Sequence, residues 1–288
     1  MSYSRVGAVT GANKGIGLAI VRQLALQYPK SAYNNGPLLI YLTARDRGRG
    51  EEALKNIHSD AELKKAKALA ADGGLTDVKF HELDIDSTDS IRNFASFLKK
   101  EHPQGVDFVI NNAGLAMTGF DSNVVKKTLQ VNYYGTLEAT QDFLPLIREN
   151  GRLVNVASMS GHLSKYSDAI RTRFLSAKSV PEVTKLMEDF KAAVAAGNEK
   201  QQGWPSAAYA VSKAGIIGMT RVVAEEEKGK GRGVLVNSCC PGYVKTDMTR
   251  GGGAKTPDQG AQTPVMLAIG DIGGKAGLFW QNEKVIEW

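Results

Sequence analysis

Short apolar runs alternate along this chain with longer segments in which apolar residues recur every three or four positions. The first pattern is typical of buried strands and the second of helices with one buried face. The predicted strands are residues 6–10, 38–43, 78–83, 106–110, 151–157, 233–238 and 278–281. The predicted helices are residues 15–28, 48–70, 87–101, 123–149 and 207–229. The alternation predicts one α/β domain over residues 1–288, with a Rossmann-type, doubly wound parallel sheet of about seven strands and helices on both faces.

Two segments interrupt this alternation. Residues 161–205 carry a helical pattern of their own, whose apolar positions share one face. These positions are Val183, Leu186, Met187, Phe190 and Val194. Residues 241–260 are rich in Gly, Thr, Lys and Asp and predict a mobile loop. We therefore expect a helical insertion and a loop, neither of them large enough to be a separate domain.

The charge pattern narrows the class of ligand. With 36 Lys and Arg against 30 Asp and Glu, the chain has a formal net charge of +6. Bases and acids are interleaved, as in residues 225–232, so we expect a small anionic ligand and no nucleic acid. No uncharged apolar run approaches the roughly 18 residues that span a membrane. The first predicted strand begins near residue 5, so we expect no leader and a cytoplasmic protein without a membrane partner.

Cys239 and Cys240 are neighbours in the sequence. Consecutive Cα atoms lie about 3.8 Å apart, which is below the usual range for a disulfide, so we predict two free thiols. A chain without disulfides suits a reducing compartment. We interpret both cysteines as small core residues rather than catalytic ones, and we assign no metal ligands.

The first predicted strand ends in the glycine-rich turn T-G-A-N-K-G-I-G, residues 10–17. Glycines at such a place allow a tight turn and a close approach of the backbone to a pyrophosphate. The following helix adds free N–H groups and the positive end of its dipole. The alternative is an ordinary turn between a strand and a helix. The position of this glycine-rich turn in the first βα unit favours a nucleotide-binding site. The residues assigned to the cofactor here are Gly11, Asn13, Lys14, Gly15, Ile16 and Gly17.

The end of the second predicted strand indicates which nucleotide binds. NAD enzymes usually place an acid there, to hold the ribose 2′-hydroxyl. This chain places Arg45 there, and Lys14 in the glycine turn offers a second cation. Two cations favour the 2′-phosphate of NADP(H). Asp46 follows Arg45 directly and leaves an acidic ribose contact open, and a surface salt bridge is the alternative role for Arg45.

The candidate chemistry centres on Tyr209 and Lys213, which lie four residues apart and therefore on one face of a helix. Reduction of a carbonyl needs a proton at oxygen as well as a hydride at carbon. A nearby ammonium favours the phenolate, so we expect Lys213 to lower the pKa of Tyr209. A lowering of about three units takes roughly 4 kcal/mol. The spacing is common in helices, so its weight depends on the other motifs.

Two further polar residues have positions that suggest chemistry. Ser158 follows the fifth predicted strand, at the carboxyl edge where parallel sheets bind ligands, although a helix N-cap or loop serine is the alternative. Asn132 lies inside a predicted helix, where asparagine is a poor helix former and no cap is needed. A buried structural amide is its alternative.

These motifs occur in a fixed order along the chain. They are G-x-x-x-G-x-G at 11–17, N-N-A-G at 111–114, Y-x-x-x-K at 209–213 and P-G at 241–242. In this order the chain resembles the short-chain dehydrogenase/reductase superfamily from its first strand onward. The 51 positions from Ser158 to Tyr209, L-D-I-D at 83–86, C-C-P-G-Y at 239–243 and E-K-V-I-E-W at 283–288 resemble the monomeric carbonyl reductases.

The resemblance implies roles for individual residues. Tyr209 exchanges the proton, Ser158 hydrogen-bonds and polarises the substrate oxygen, and Asn132 positions a water beside Lys213. Asp84 hydrogen-bonds the adenine amino group. The further residues expected to contact the cofactor are Ile85, Asn111, Ala113, Gly114, Pro241, Gly242, Val244 and Thr246, together with Tyr209 and Lys213.

The resemblance also implies a monomer, because the inserted helix covers the surface that other members use for oligomerisation. Tyr243 stands at the substrate mouth, where this group often has Trp, so the shape of the substrate pocket is left open. We predict NADPH-dependent reduction of aldehydes, ketones or quinones. A dedicated reductase for one endogenous carbonyl metabolite and a non-catalytic NADP(H)-binding sensor are the alternatives.

Overall fold

The computed structural model describes residues 3–288, and eight strands in this range form one sheet. The order across the sheet is β3-β2-β1-β4-β5-β6-β7-β8, and β1 to β7 run parallel. The strands are β1 (Arg5–Val9), β2 (Leu38–Ala44), β3 (Thr76–Glu82), β4 (Val106–Asn111), β5 (Ile147–Val156), β6 (Leu235–Cys240), β7 (Phe279–Gln281) and β8 (Lys284–Ile286). The order reverses between β1 and β4, which opens a crevice at the carboxyl edge of the sheet. The predicted doubly wound fold is confirmed.

Helices cover both faces of the sheet. They are α1 (Gly15–Gln27), α2 (Arg47–Ser59), α3 (Ala61–Lys65), α4 (Thr88–Glu101), α5 (Ser122–Leu129), α6 (Thr136–Phe143), α7 (Asp168–Ser176), α8 (Val180–Ala195), α9 (Ala208–Gly229) and α10 (Pro257–Ile269). One apolar core joins the sheet to α1, α2, α3 and α10, and another joins it to α4 through α9. Because both faces are covered, β2 and β4 are buried along their whole length, including the polar residues Thr43, Asp107 and Asn111.

Two predicted helices are shorter than the sequence suggested. The segment 48–70 breaks at Asp60, whose carboxylate accepts the backbone N–H groups of Glu62 and Leu63 and so begins α3. The segment 123–149 passes from α5 through a π-helical turn, Gln130–Gly135, into α6. It ends before Pro145 and β5 begins at Ile147, because proline cannot continue a helix.

The region predicted as a loop over 241–260 is more ordered than expected. Asp247–Thr249 forms a 3₁₀ turn, and α10 begins at Pro257. Thr256 and Gln259 form a reciprocal capping box at the start of α10, a T-x-x-Q signal that is present in the sequence.

The eighth strand was also missed. It returns antiparallel to β7 through a two-residue turn at Asn282 and Glu283. Both turn residues have positive φ, which tight hairpins require and which glycine normally supplies.

The insertion is helical, as predicted, and consists of α7 and α8. The five apolar positions named in the sequence are all buried against the core. The helix α8 packs on α5 and α9. None of the helices within the described residues has the length and hydropathy needed to cross a membrane.

Candidate active site

A cleft of about 710 Å³ lies at the carboxyl edge of the sheet. The loops that follow β1 through β6 all contribute to its wall. Most residues assigned to the cofactor from the sequence line it, and so do Tyr209 and Lys213. These lining residues are Gly11, Asn13, Lys14, Gly15, Ile16, Gly17, Arg45, Asp84, Ile85, Ala113, Gly114, Tyr209, Lys213, Pro241 and Thr246.

Three residues assigned to the cofactor lie behind the wall of the cleft. Asn111 is buried, and its amide donates to the side chain of Asn155 at 2.9 Å, which joins β4 to β5. Gly242 has a φ of +91°, and Val244 is buried beside it. These residues shape the cleft without lining it.

The glycine turn forms a cradle that side chains would fill. Gly11 and Gly15 have φ values of +62° and +55°. A Cβ on Gly17 would lie 2.3 Å from the carbonyl oxygen of Gly11, and a Cβ on Gly11 would lie 2.8 Å from the Cα of Ala113. The turn opens directly into α1, which has no acidic residue in its first turn. This arrangement suits a pyrophosphate at the N-terminus of α1.

Two arginines, four residues apart in the sequence, stand beside this cradle. Arg45 follows β2, Arg49 lies in α2, and both are exposed and line the cleft. Within residues 3–288 no carboxylate lies within ion-pair distance of either guanidinium, whereas Arg47 between them pairs with Glu51. The carboxylate of Asp46 accepts the backbone N–H of Arg49 at 2.8 Å and so caps α2. Two unpaired cations fit a 2′-phosphate.

The segment after β6 closes the cleft opposite the glycine turn. A Cβ on Gly15 would lie 3.4 Å from the methyl carbon of Thr246, so the two loops touch. Lys14 forms an exposed ion pair with Asp247 at 2.7 Å. The glycine cradle and the loop after β6 are therefore in direct contact.

Tyr209 and Lys213 lie on the same face of α9 and point into the cleft, as predicted. The Nζ of Lys213 lies 5.6 Å from the centroid of the Tyr209 ring and donates to the carbonyl oxygen of Val156 at 2.8 Å. A Cβ on Gly114 would lie 3.7 Å from this Nζ. The ammonium is thus held between the ends of β4 and β5.

The pKa of Tyr209 is raised to about 12, because burial disfavours the phenolate, and the nearby hydroxyl of Ser158 offsets part of the rise. Burial also lowers the pKa of Lys213 to about 8. The predicted lowering of the Tyr209 pKa by Lys213 is therefore wrong for this structure. The cause is that burial penalises both charged forms.

Ser158 is the N-cap of a 3₁₀ turn, Met159–Gly161, that follows β5. Its Oγ accepts the backbone N–H of Ser160 at 3.1 Å. The alternative role weighed for this serine, a cap, is therefore present, and its Oγ also lies 3.3 Å from the Oγ of Ser160.

Asn132 is fully buried in the π-helical turn. Its amide accepts the N–H of Leu115 at 2.8 Å and donates to the Leu115 carbonyl at 2.9 Å and to Ser212 Oγ at 3.1 Å. Ser212 in turn donates to the carbonyl of Tyr209. These bonds join the loop after β4 to α9, which is the structural role that the sequence analysis gave as the alternative for this residue. π-Helical turns are frequent at functional sites.

Exposed apolar side chains gather on the loops around the cleft. Met117 follows β4, Met159 follows β5, and Tyr243 and Met248 follow β6. Met248 lines the cleft, whereas Tyr243 lies outside it with 64% of its surface exposed. The cleft wall mixes apolar side chains such as Leu83, Ile85 and Val131 with charged ones, and Met117 and Met159 are not among its lining residues.

Cys239 and Cys240 are both free and buried, as predicted. Burial raises the pKa of the Cys239 thiol, which keeps it protonated. The sulfur of Cys240 accepts the backbone N–H of Gly242 at 3.3 Å. In the described part of the chain, no group of three or more His, Cys, Asp or Glu side chains is arranged to hold a metal.

The sequence analysis missed several residues of the cleft. Arg49 carried a signal, its place four residues after Arg45, but Arg45 precedes α2, so the two do not share a helix face. Leu115, Val131 and Met248 carried none, because they meet only through the tertiary fold.

The fold and the cleft define a class, a Rossmann-type oxidoreductase with a Tyr-x-x-x-Lys helix. The sequence model of the short chain dehydrogenase family matches residues 5–170 and 192–256. Carbonyl reductase [NADPH] 1 of Macaca fascicularis is 37% identical over 295 residues, which cover 99% of this chain and 98% of that protein. Carbonyl reductase [NADPH] 3 of Rattus norvegicus is 39% identical over 282 residues, which cover 93% and 92%.

A solved structure agrees with these relatives. Salutaridine reductase from Papaver somniferum superposes with a TM-score of 0.80 at 25% identity, covering 96% of this chain and 99% of that one. The chain belongs to the short-chain dehydrogenase family, and within it to the NADPH carbonyl reductases, as the sequence analysis predicted. The family model skips residues 171–191, which fall in α7 and α8, so the insertion interrupts the family pattern, and its match ends at residue 256.

Proposed function

We propose that this protein reduces apolar aldehydes, ketones or quinones with NADPH and that Tyr209 donates the proton. The observation that carries the proposal is the shared cleft. The glycine cradle, two unpaired arginines and the Tyr209–Lys213 pair all line one space of about 710 Å³. Its relatives are named as NADPH carbonyl reductases, which supports the same chemistry.

When bound, NADPH supplies the hydride to the carbonyl carbon. Tyr209 donates its phenolic proton to the carbonyl oxygen. A tyrosine whose pKa is about 12 is protonated at neutral pH, so it is ready to act as a general acid. Ser158 donates a hydrogen bond to the same oxygen and holds it towards Tyr209.

Lys213 and Asn132 support Tyr209 from the side of the sheet. With a pKa near 8, Lys213 can be charged or neutral close to physiological pH, so it suits proton return to Tyr209. The Asn132 amide holds the loop after β4 against α9, and we assign to this residue the positioning of a water beside Lys213.

The preference for NADPH over NADH is assigned to Arg45, Arg49 and Lys14. Among residues 3–288, no carboxylate pairs with the guanidinium groups of Arg45 and Arg49, and a phosphate dianion is their natural partner. Lys14 lies at the other side of the cradle and is shared with Asp247. The adenine contact is assigned to Asp84, whose carboxylate also accepts the N–H of Asp86.

The substrate class follows from the rim. Met248 lines the cleft, and Met117 and Met159 lie on the loops that follow β4 and β5. Methionines are flexible, polarisable side chains that fit varied apolar surfaces. Tyr243 adds an aromatic ring at the outer edge. We therefore expect bulky apolar carbonyl compounds to react faster than small polar ones.

We also propose that the protein is a monomer. The helix α8 lies on α5 and α9 and buries Val183, Leu186, Met187 and Phe190. This face of the molecule is thereby occupied by the chain's own insertion. Light scattering that shows a stable dimer or tetramer would contradict the proposal.

The function is tested by following NADPH oxidation with a panel of quinones, diketones and aldehydes. Tyr209→Phe should lower kcat by about 100-fold or more, the usual contribution of a general acid, and leave NADPH binding intact. Tyr33→Phe is the matched control, because its hydroxyl contacts backbone at the edge of the sheet opposite to the cleft. A Tyr209→Phe variant as fast as the parent would refute the mechanism. NADPH binding without turnover of any panel member would favour the sensor.

A further inference from the structure

The turn that carries Ser158 is held from outside by a residue 130 positions away. The indole Nε1 of Trp288 donates to the carbonyl oxygen of Gly161 at 2.8 Å. Gly161 is the last residue of the 3₁₀ turn that Ser158 caps, and its N–H donates to the Ser158 carbonyl at 2.9 Å. Trp288 is thus one hydrogen bond away from the turn that fixes Ser158.

The other side of the same turn lies on the helix of Tyr209. A Cβ on Gly161 would lie 2.6 Å from the backbone nitrogen of Ala214 and 2.7 Å from the carbonyl carbon of Lys213. The turn is therefore clamped between the α9 backbone and Trp288. Any change in the height of this turn over α9 alters the distance between Ser158 and Tyr209.

The indole ring is itself fixed by three neighbours. It meets the ring of Phe174 edge to face, with centroids 5.5 Å apart. The guanidinium of Arg221 lies 5.5 Å from its centroid, and a Cβ on Gly218 would lie 3.2 Å from its outermost carbon. Phe174 belongs to the insertion, and the other two belong to α9. These three contacts therefore fix the direction in which the indole N–H of Trp288 points.

We propose that Trp288 is a positioning residue that acts through Gly161 to set Ser158 against Tyr209. The inference rests on the proposed function, because it assigns Ser158 to the substrate oxygen. Misplacement of a catalytic group by about 1 Å can cost 100-fold in rate, so the loss of one such clamp is expected to appear in kcat. NADPH binding lies on the other side of the cleft and should be unaffected.

The first test is Trp288→Phe, which keeps an aromatic ring and removes the N–H. We expect kcat to fall by about tenfold, with the Kd for NADPH within about twofold of the parent. Trp280→Phe is the matched control, since its indole Nε1 donates to Asn237 at 3.2 Å away from the Ser158 turn. Equal losses of Tm in both variants, with a loss of kcat in Trp288→Phe alone, would support the proposal.

A second variant leaves Trp288 in place. Gly218→Ala inserts a methyl group against the indole inside a helix, where alanine is intrinsically more stable than glycine. We expect about a threefold lower kcat without a lower Tm. Unchanged kcat in both Trp288→Phe and Gly218→Ala would overturn the proposal.

A double-mutant cycle separates positioning from general loosening. In a Ser158→Ala background, Trp288→Phe should have little further effect on the single-turnover rate, because both changes act on one contact. Additive losses would overturn the proposal. A parent protein that reduces no carbonyl compound would instead refute the proposed function, so the two failures are distinguishable.

Discussion

The two sides of the cleft are built in different ways. The cofactor side is mostly backbone, since Gly11, Gly15 and Gly17 form a cradle between β1 and α1, to which Lys14, Arg45 and Arg49 add positive charge. The substrate side is mostly side chains on loops that come from distant parts of the chain. On the proposed function, the cofactor side binds the same nucleotide in every reaction, whereas the substrate side binds carbonyl compounds of different shapes.

This difference predicts which side of the cleft tolerates substitutions. A backbone cradle fails as soon as a Cβ enters it, because the space is already occupied. A rim of flexible side chains adapts by changing rotamers. We therefore expect large, general effects on the cofactor side and small, substrate-dependent effects on the rim.

The largest effect is expected in the cradle. Gly17→Ala places a Cβ where the Gly11 carbonyl oxygen lies only 2.3 Å away, so the turn must shift. We expect NADPH affinity to fall by about 100-fold, measured by fluorescence titration, in line with overpacking costs of about 1–3 kcal/mol. Gly229→Ala is the control, because no atom lies within 4 Å of its added Cβ. If Gly17→Ala bound NADPH as tightly as the parent, the expected difference between the two sides of the cleft would be contradicted.

Charge recognition should give the next effect. Arg45→Ala and Arg49→Ala should each weaken NADPH binding by about 10- to 100-fold, the value of a charge-assisted hydrogen bond, and change NADH binding little. Arg47→Ala serves as the control in the same helix, since Arg47 pairs with Glu51 and does not line the cleft. Equal losses for both nucleotides would mean that these arginines do not read the 2′-phosphate.

Lys213 should reveal the cost of burying a charge. Its pKa is lowered from 10.5 to about 8, a penalty of about 3 kcal/mol on the folded state below pH 8. Between pH 8 and 10.5 the unfolded chain binds more protons, so stability should rise with pH. Lys213→Met removes this penalty but leaves the Val156 carbonyl unpaired, at about 1 kcal/mol.

We therefore expect Lys213→Met to be inactive and yet about 2 kcal/mol more stable than the parent at pH 7. Unlike that of the parent, its free energy of unfolding should not rise between pH 8 and 10.5. Urea unfolding without nucleotide, at several pH values, measures both effects. A variant less stable than the parent at pH 7 would show that the buried ammonium stabilises the fold.

The smallest effect is expected at the rim. Met248→Ala should change KM by about threefold for bulky apolar substrates, because the loss of part of one apolar contact is worth under about 1 kcal/mol, and leave the Kd for NADPH unchanged. Leu175→Ala, an exposed apolar residue in α7, is the control. A uniform change for all substrates would show that the rim acts on the chemistry rather than on recognition.

The sequence could predict the local features of the cleft but not those that depend on contacts between distant residues. The glycine turn, Arg45 and the Tyr209–Lys213 pair are local patterns, so their spacing alone placed them on the correct elements. The start of α10 was local too, but its T-x-x-Q box was hidden in a segment rich in glycine. The bond from Trp288 to Gly161 could not be predicted, because 127 residues separate the two and only the packing of α9 joins them. The sign of the Tyr209 pKa shift failed for the same reason, since burial depends on the whole fold.

The packing of α8 bears on whether a newly made chain needs a partner before it becomes active. In an oligomer, a chain at low concentration waits for partners before its helices are covered. Here α5 and α9 are covered by residues of the same chain, so on the monomer proposal folding is the sole assembly step. Specific activity should then stay constant over serial dilution, and each new molecule should become active as soon as it has folded, however few others surround it.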